Sequence, residues 1–182
     1  MAELNYAQVS RLLKPDFESG TLYWLYRTPD MFNNNRSDAE CSRWNSRYGG
    51  RPALTCIDRF GYANGRILNK QYAAHRVIWL LYTGEWPCSD IDHINGRRSD
   101  NRILNLRDVS ASENGKNRRM SKNNTSGTQG VHWNKKRCKW AVMIRDRGCL
   151  QHIGYFSDVS AAIQARKAAE LERGFHPNHG RH

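Results

Sequence analysis

The chain has 182 residues, 38% of them hydrophobic, with six Trp, eight Tyr and five Phe. That is room for one ordinary domain or two small ones, with enough aromatic core material to exclude general disorder. The formal net charge is +12 and uneven: net +2 over residues 1–91, +4 over 92–124 and +6 over 125–182. The asymmetry points to a polyanion, most simply nucleic acid, met by the second half of the chain. No long apolar run, basic amphipathic helix or targeting segment argues for a membrane. The five cysteines contain no Cys-x-x-Cys pair. They speak against structural zinc and a disulfide framework and for reduced thiols in a cytoplasmic protein.

In chain order, Tyr6, Val9 and Leu12-Leu13 predict a short helix over 4–13, ended by Pro15. The segment 21–27 reads as a strand, and the polar 28–50 as a long surface loop. Residues 53–69 suggest a hairpin turning at Arg59–Gly61. A helix over 73–86 should bury Val77, Ile78, Leu80, Leu81 and Tyr82 and end at Gly84. His75, on that helix, reads as a packed interior histidine. Ser110 and Glu113 have capping-box spacing and should start a helix running to about Met120, with Asn114, Arg118 and Arg119 on it. Linker composition follows over 121–130. Three strand-like runs then precede a helix capped by Asp158 or Ser160, whose apolar face is Ala162, Ile163, Ala165 and Ala169.

The chemistry gathers between these elements, at Asp92-His93. Phosphodiester hydrolysis needs an activated water and neutralisation of charge on the phosphoryl and leaving oxygens. A neutral histidine serves the first need, and a hard divalent cation on oxygen ligands the second. Neighbours in a strand point to opposite faces, which sets His93 and Asp92 on different sides of an attacked phosphorus. Asp92 alone holds a cation poorly; Asn114 offers a second, neutral oxygen. Each residue also has an ordinary reading. Asn-Gly is a hairpin turn, Asn105 can satisfy loop amides, and Asn114 can be a polar helix residue.

Taken together, Asp-His (92–93), Asn-Gly (95–96), Asp-Asn-Arg (100–102), Asn-Leu-Arg (105–107) and Glu-Asn (113–114) make residues 73–119 resemble the HNH endonuclease family, in its phage and homing version. The resemblance implies a ββα-metal core with His93 as general base and Asp92 and Asn114 as ligands of one Mg or Mn ion. Asn105 would brace the loop and orient His93. Arg97, Arg98, Arg118 and Arg119 would contact phosphate. Residues 123–175 resemble the three-strand-and-helix DNA-binding domain of plant ethylene-response factors, through "GVHWNKKRCKWAVMI", "IGYF" and "AAIQARKAAE". That likeness implies DNA contacts from Trp133, Lys135, Arg137, Lys139 and Arg145.

The expected fold class is α+β. A β-rich scaffold or DNA-contact segment (1–72) precedes an HNH core (73–120), a linker (121–128), the sheet-and-helix module (129–176) and a tail (177–182). The expected activity is Mg- or Mn-dependent, strand-nicking hydrolysis of double-stranded DNA by a monomer, with a dimer left open. A non-catalytic DNA-binding protein and an RNA-cleaving nuclease are the competing readings.

Overall fold

The computed structural model describes residues 3–32, 37–116, 120, 123–177 and 179–180. The chain divides into two units, Met1–Asp108 and Val109–His182. Both mix helices with small antiparallel sheets, an α+β composition.

In the first unit, Asn5 caps helix α1 (Tyr6–Ser10) through a reciprocal box with Gln8. The helix stops short of Leu12-Leu13, because Leu13 opens strand β1 (Leu13–Asp16), which pairs with β2 (Thr21–Trp24). Pro15 lies inside β1. It is tolerated there because β1 is the edge of a sheet completed by β3 (Pro52–Ala53), where a missing N–H loses no ladder bond.

Residues 28–50 are not a loop throughout. Pro29–Met31 form a 3-10 turn and Ser37–Tyr48 form helix α2. Asp38 and Glu40 in its first turn and Arg47 in its last complement the helix dipole. Cys41, Trp44 and Tyr48, at i, i+3 and i+7, form its apolar stripe. Three such residues in twelve are too sparse to register as hydrophobic periodicity.

Strands β4 (Cys56–Ile57), β5 (Ala63–Ile67) and β6 (Lys70–Ala73) form the second sheet. The expected hairpin is β4–β5, turned by Asp58, whose carboxylate accepts from the Phe60 and Tyr62 amides. Helix α3 (Ala74–Thr83) ends on Gly84 in the left-handed conformation, φ 88°. Val77, Ile78, Leu80 and Leu81 are buried. Tyr82 is not: it is 60% exposed, with its ring edge-on to Phe17 at 5.3 Å.

One core unites residues on both sides of position 72. Val9, Leu13, Leu22, Leu54 and Ile67 pack in a single cluster with Val77, Ile78, Ile91 and Leu106. The Trp86 indole N–H donates to the Leu4 carbonyl at 2.7 Å, and the Trp86 and Tyr72 rings stack at 5.6 Å. The two units divide at Asp108/Val109, within strand β8 (Leu106–Val109), the partner of β7 (Asp90–His93).

In the second unit, Ser110 and Glu113 close the expected capping box on helix α4 (Ala111–Gly115). Strands β9 (Val131–Asn134), β10 (Lys139–Asp146) and β11 (Cys149–Phe156) make an antiparallel sheet in the order β11-β10-β9. Helix α5 (Val159–Glu172), capped by Asp158, packs Ala162 onto Val131 and Val142. Its buried stripe is not wholly apolar. Arg166 is 2% exposed and donates to the Met143 carbonyl (2.8 Å) and to Glu170 (2.9 Å).

Gly20, after β1, has φ 72°, and a Cβ there would lie 2.4 Å from Arg102 N and from the Asn101 carbonyl carbon. The N-terminal turn therefore presses directly on the backbone after β7. Gly20→Ala should destabilise the protein by about 1–3 kcal/mol, since it adds both positive-φ strain and a clash with backbone. Calorimetry should show a melting temperature several degrees lower. A variant that melts with the parent would show that this approach is not tight.

Candidate active site

A long connection between β7 and β8, residues 94–105, follows His93 directly, and Asn105 holds it in shape. The Asn105 side-chain carbonyl accepts from the Asn95 amide (2.9 Å), and its NH2 donates to the Asp100 carbonyl (2.7 Å). The Asn105 backbone carbonyl accepts from Ile94 N–H at 2.9 Å. Asp100 adds a second brace, accepting from Asn95 Nδ2 (2.7 Å) and from the Arg102 guanidinium (2.6 and 2.8 Å). Those bonds, the one to Arg102 foremost, hold the Asp100 carboxyl down at about 2. One short polar side chain thus ties both ends of the loop, satisfying the Asn95 N–H and the Asp100 carbonyl.

His93 ends β7 and is only 3% exposed. Its Nε2 lies 3.1 Å from the Asn101 side-chain oxygen. An amide oxygen has no proton to give, so Nε2–H donates and Nδ1 carries the lone pair. Burial pushes the His93 imidazole below its ordinary value, against the opposing pull of the Asn101 bond and of Asp92. The imidazole is therefore neutral at neutral pH, as a general base must be. Around it, the His75 ring meets it edge-on at 5.1 Å and Tyr62 lies 5.8 Å away. The Arg98 guanidinium covers Tyr62 at 5.0 Å.

Asp92, 9% exposed, engages a different partner: Arg107 on β8 donates to its Oδ2 from Nε (3.0 Å) and Nη2 (2.7 Å). Adjacent strand residues thus serve separate networks, Asp92 with Arg107 and His93 with Asn101. Asp92 presents a fixed carboxylate and His93 a fixed imidazole.

Of the other expected residues, Asn114 lies on α4 in the second unit, where its amide donates to the Ser110 carbonyl at 2.9 Å. Arg97 is exposed. Arg98 is engaged within the protein, donating to the Phe60 carbonyl at 2.8 Å. Arg118 and Arg119 lie outside the described residues. In the C-terminal sheet, Lys135 and Arg137 occupy the β9–β10 turn, and Lys139 and Arg145 are exposed on β10. Arg137 lies over the Tyr155 ring at 4.6 Å.

Trp133 departs from that group. It pairs with Trp140, and two residues on in register Val131 pairs with Val142, so strand alternation sets it on the core-facing side of the sheet. It packs edge-on to Trp140 at 5.4 Å and is 42% exposed.

Three residues at the site go beyond the expected set. Asn101 fixes the His93 tautomer, Arg107 holds Asp92, and His75 packs against His93. The first two sit inside the Asp-Asn-Arg and Asn-Leu-Arg signatures, which mark them without revealing their partners. His75 is interior, as expected, but its interior neighbour is the candidate base.

Among the described residues, no three or more His, Cys, Asp and Glu gather as a metal cluster. All five cysteines are free. No helix among the described residues is long and apolar enough to cross a membrane.

Residues 72–116 match the HNH endonuclease family, which makes this stretch an HNH endonuclease domain. Protein 3.8 of Escherichia phage T7 is 35% identical over 75 residues, 41% of this chain and 62% of that protein. The chain therefore spans less than two thirds of that relative's length. No solved structure matches.

Burial also pushes the His75 imidazole down, to about 3, and its neighbour His93 adds to the effect. As pH falls below about 6.5, the unfolded chain takes up a proton at this position that the folded chain refuses. The stability His75 contributes is thus full above that pH and lost progressively below it. Thermal melts from pH 7 to pH 4 should show a steep decline for the parent and a shallower one for His75→Gln. Equal slopes would contradict the assignment.

Proposed function

We propose that the chain is a metal-dependent DNA endonuclease that hydrolyses a phosphodiester in double-stranded DNA, nicking one strand at a recognised site in the manner of homing enzymes. The observation that carries this reading is the buried, neutral His93, fixed through Nε2 by Asn101. It stands next to a carboxylate fixed by Arg107, within the segment that matches the HNH endonuclease family.

In this reading, His93 takes a proton at Nδ1 from a water whose oxygen attacks the scissile phosphorus, as the bond to the 3′-oxygen breaks. Asn101 keeps the tautomer that leaves Nδ1 able to accept. Asn105 and Asp100 hold the loop so that His93 and Asn101 keep their distance.

The donor set suits a hard cation. Asp92 offers a carboxylate and Asn114 an amide oxygen, and neither nitrogen nor sulfur is among them, which favours Mg or Mn over zinc. On the sequence resemblance, these two residues are kept as those that would hold the one ion. That ion, when bound, supplies charge neutralisation at the phosphoryl oxygens and the leaving alkoxide. Arg107 keeps Asp92 oriented.

Duplex contact is assigned to Arg97 and to Lys135, Arg137, Lys139 and Arg145 on the C-terminal sheet. What supports this is their exposure and the charge excess of that half of the chain. Arg118 and Arg119 are kept as phosphate contacts on the sequence resemblance. Trp133 is left out, because it shares the face of Val131.

Supercoiled plasmid should be relaxed by the parent protein with Mg or Mn and not with EDTA. His93→Ala should slow nicking by about 10²–10⁴-fold, the range for removing a general base. Asn101→Ala should lower the rate while leaving DNA retention unchanged. His93→Ala nicking at the parental rate would overturn the assignment. Cleavage of RNA but not DNA would redirect it to an RNA substrate.

A further inference from the structure

The N-terminal segment holds a groove of about 390 Å³, remote in sequence from the catalytic motif and lined by Trp24, Arg27, Trp44, Tyr48 and Arg66 among others. No acidic residue lines it among the described residues.

The arrangement of Arg27 is what distinguishes this groove from ordinary surface. Its guanidinium lies 3.8 Å from the Trp44 ring centre, 5.9 Å from Trp24 and 5.8 Å from Phe32. Its Nε is buried and makes no hydrogen bond, and no carboxylate pairs with it among the described residues. Such a cation, partly stripped of water, set against ring faces and with no carboxylate partner among the described residues, is suited to an anion.

The backbone beneath it is fixed. Asn45 accepts from Arg27 N–H (2.8 Å) and donates to its carbonyl (2.9 Å), and the Cys41 thiol donates to the same carbonyl. Further positive charge stands at the rim. Arg66 is exposed, and the Arg47 guanidinium lies 5.5 Å from the Tyr48 ring. Tyr48 itself is 39% exposed and inclined at 44° to Trp44.

We infer that this groove binds an unpaired nucleotide of a DNA strand, with its base against the Tyr48 and Trp44 rings and its phosphate at Arg27 and Arg66. Two cations, ring faces and no acid match a ligand that is anionic at one end and flat and aromatic at the other. Bases inside a duplex already have both faces covered by their neighbours, so the rings favour a base out of the stack. The inference builds on the reading of the chain as acting on DNA. It gives residues 1–72 a task other than scaffolding: holding a locally opened strand.

The test is fluorescence anisotropy with a labelled 12-nucleotide oligothymidylate and an abasic 12-mer of equal charge, in EDTA so that nothing is cut. The parent should prefer the oligothymidylate by about tenfold, in keeping with the worth of stacking per base. Tyr48→Ala should bring the two probes to near equality, and Arg66→Ala should weaken both by about fivefold or more. Both residues lie at the surface, and melts matching the parent's would establish that the variants are folded. Equal binding of the two probes by the parent, or parental binding by both variants, would overturn the inference. So would displacement of the oligothymidylate by polyglutamate as readily as by unlabelled oligothymidylate. The two readings fail separately: a parent that binds the oligothymidylate but never nicks plasmid defeats the nuclease reading alone. A parent that nicks while the variants bind normally defeats this one alone.

Discussion

A histidine that is to take a proton at neutral pH must be neutral, and it must offer the right nitrogen. In this protein burial, which leaves the ring 3% exposed, supplies the first condition, and the Nε2–H of His93 donating to the side-chain oxygen of Asn101 supplies the second. Burial disfavours the imidazolium, and the amide oxygen selects the tautomer. Much of the surrounding structure is arranged to keep those two side chains together. Asn105 and Asp100 stitch the loop between β7 and β8, and the Gly20 turn backs onto the Asn101–Arg102 peptide. His75 and Tyr62 then wall the ring in.

This dependence extends into the core that residues on both sides of position 72 share. The site loop spans a dozen residues and has only a two-stranded sheet of its own, too little to be stable without help. Its rigidity is borrowed from the core beneath, where α3 packs among apolar residues of α1 and the first two sheets. His75 on α3 and Gly20 after β1 carry that rigidity to His93 and Asn101. The N-terminal segment is thus part of the structure that holds His93 in place.

Much of this was legible from the chain. The capping box at Ser110–Glu113, the left-handed stop at Gly84 and the strand-strand-strand-helix order of the C-terminal module follow from local chemistry that depends little on context. What escaped sequence reasoning is non-local or faint. Helix α2 has four apolar side chains in twelve, only three of them on one stripe, so its hydrophobic signal is hidden, although its end charges are well placed. Leu13 satisfies a helical pattern and a strand equally well, and pairing with Trp24 decides for the strand. The partners of Asp92 and His93 are the extreme case. Arg107 is fifteen residues from Asp92 and Asn101 eight from His93, and no periodicity links either pair. The motif letters marked the region, while the division of labour among them became visible only in the folded loop.

The claim that most else depends on is the protonation state of His93. Long-range ¹⁵N–¹H correlation NMR of the histidine rings, at neutral pH and with His93→Gln to assign the signals, measures it directly. The account predicts a neutral ring with its proton on Nε2 and an unprotonated Nδ1. A ring protonated on Nδ1, or an imidazolium at neutral pH, would contradict it.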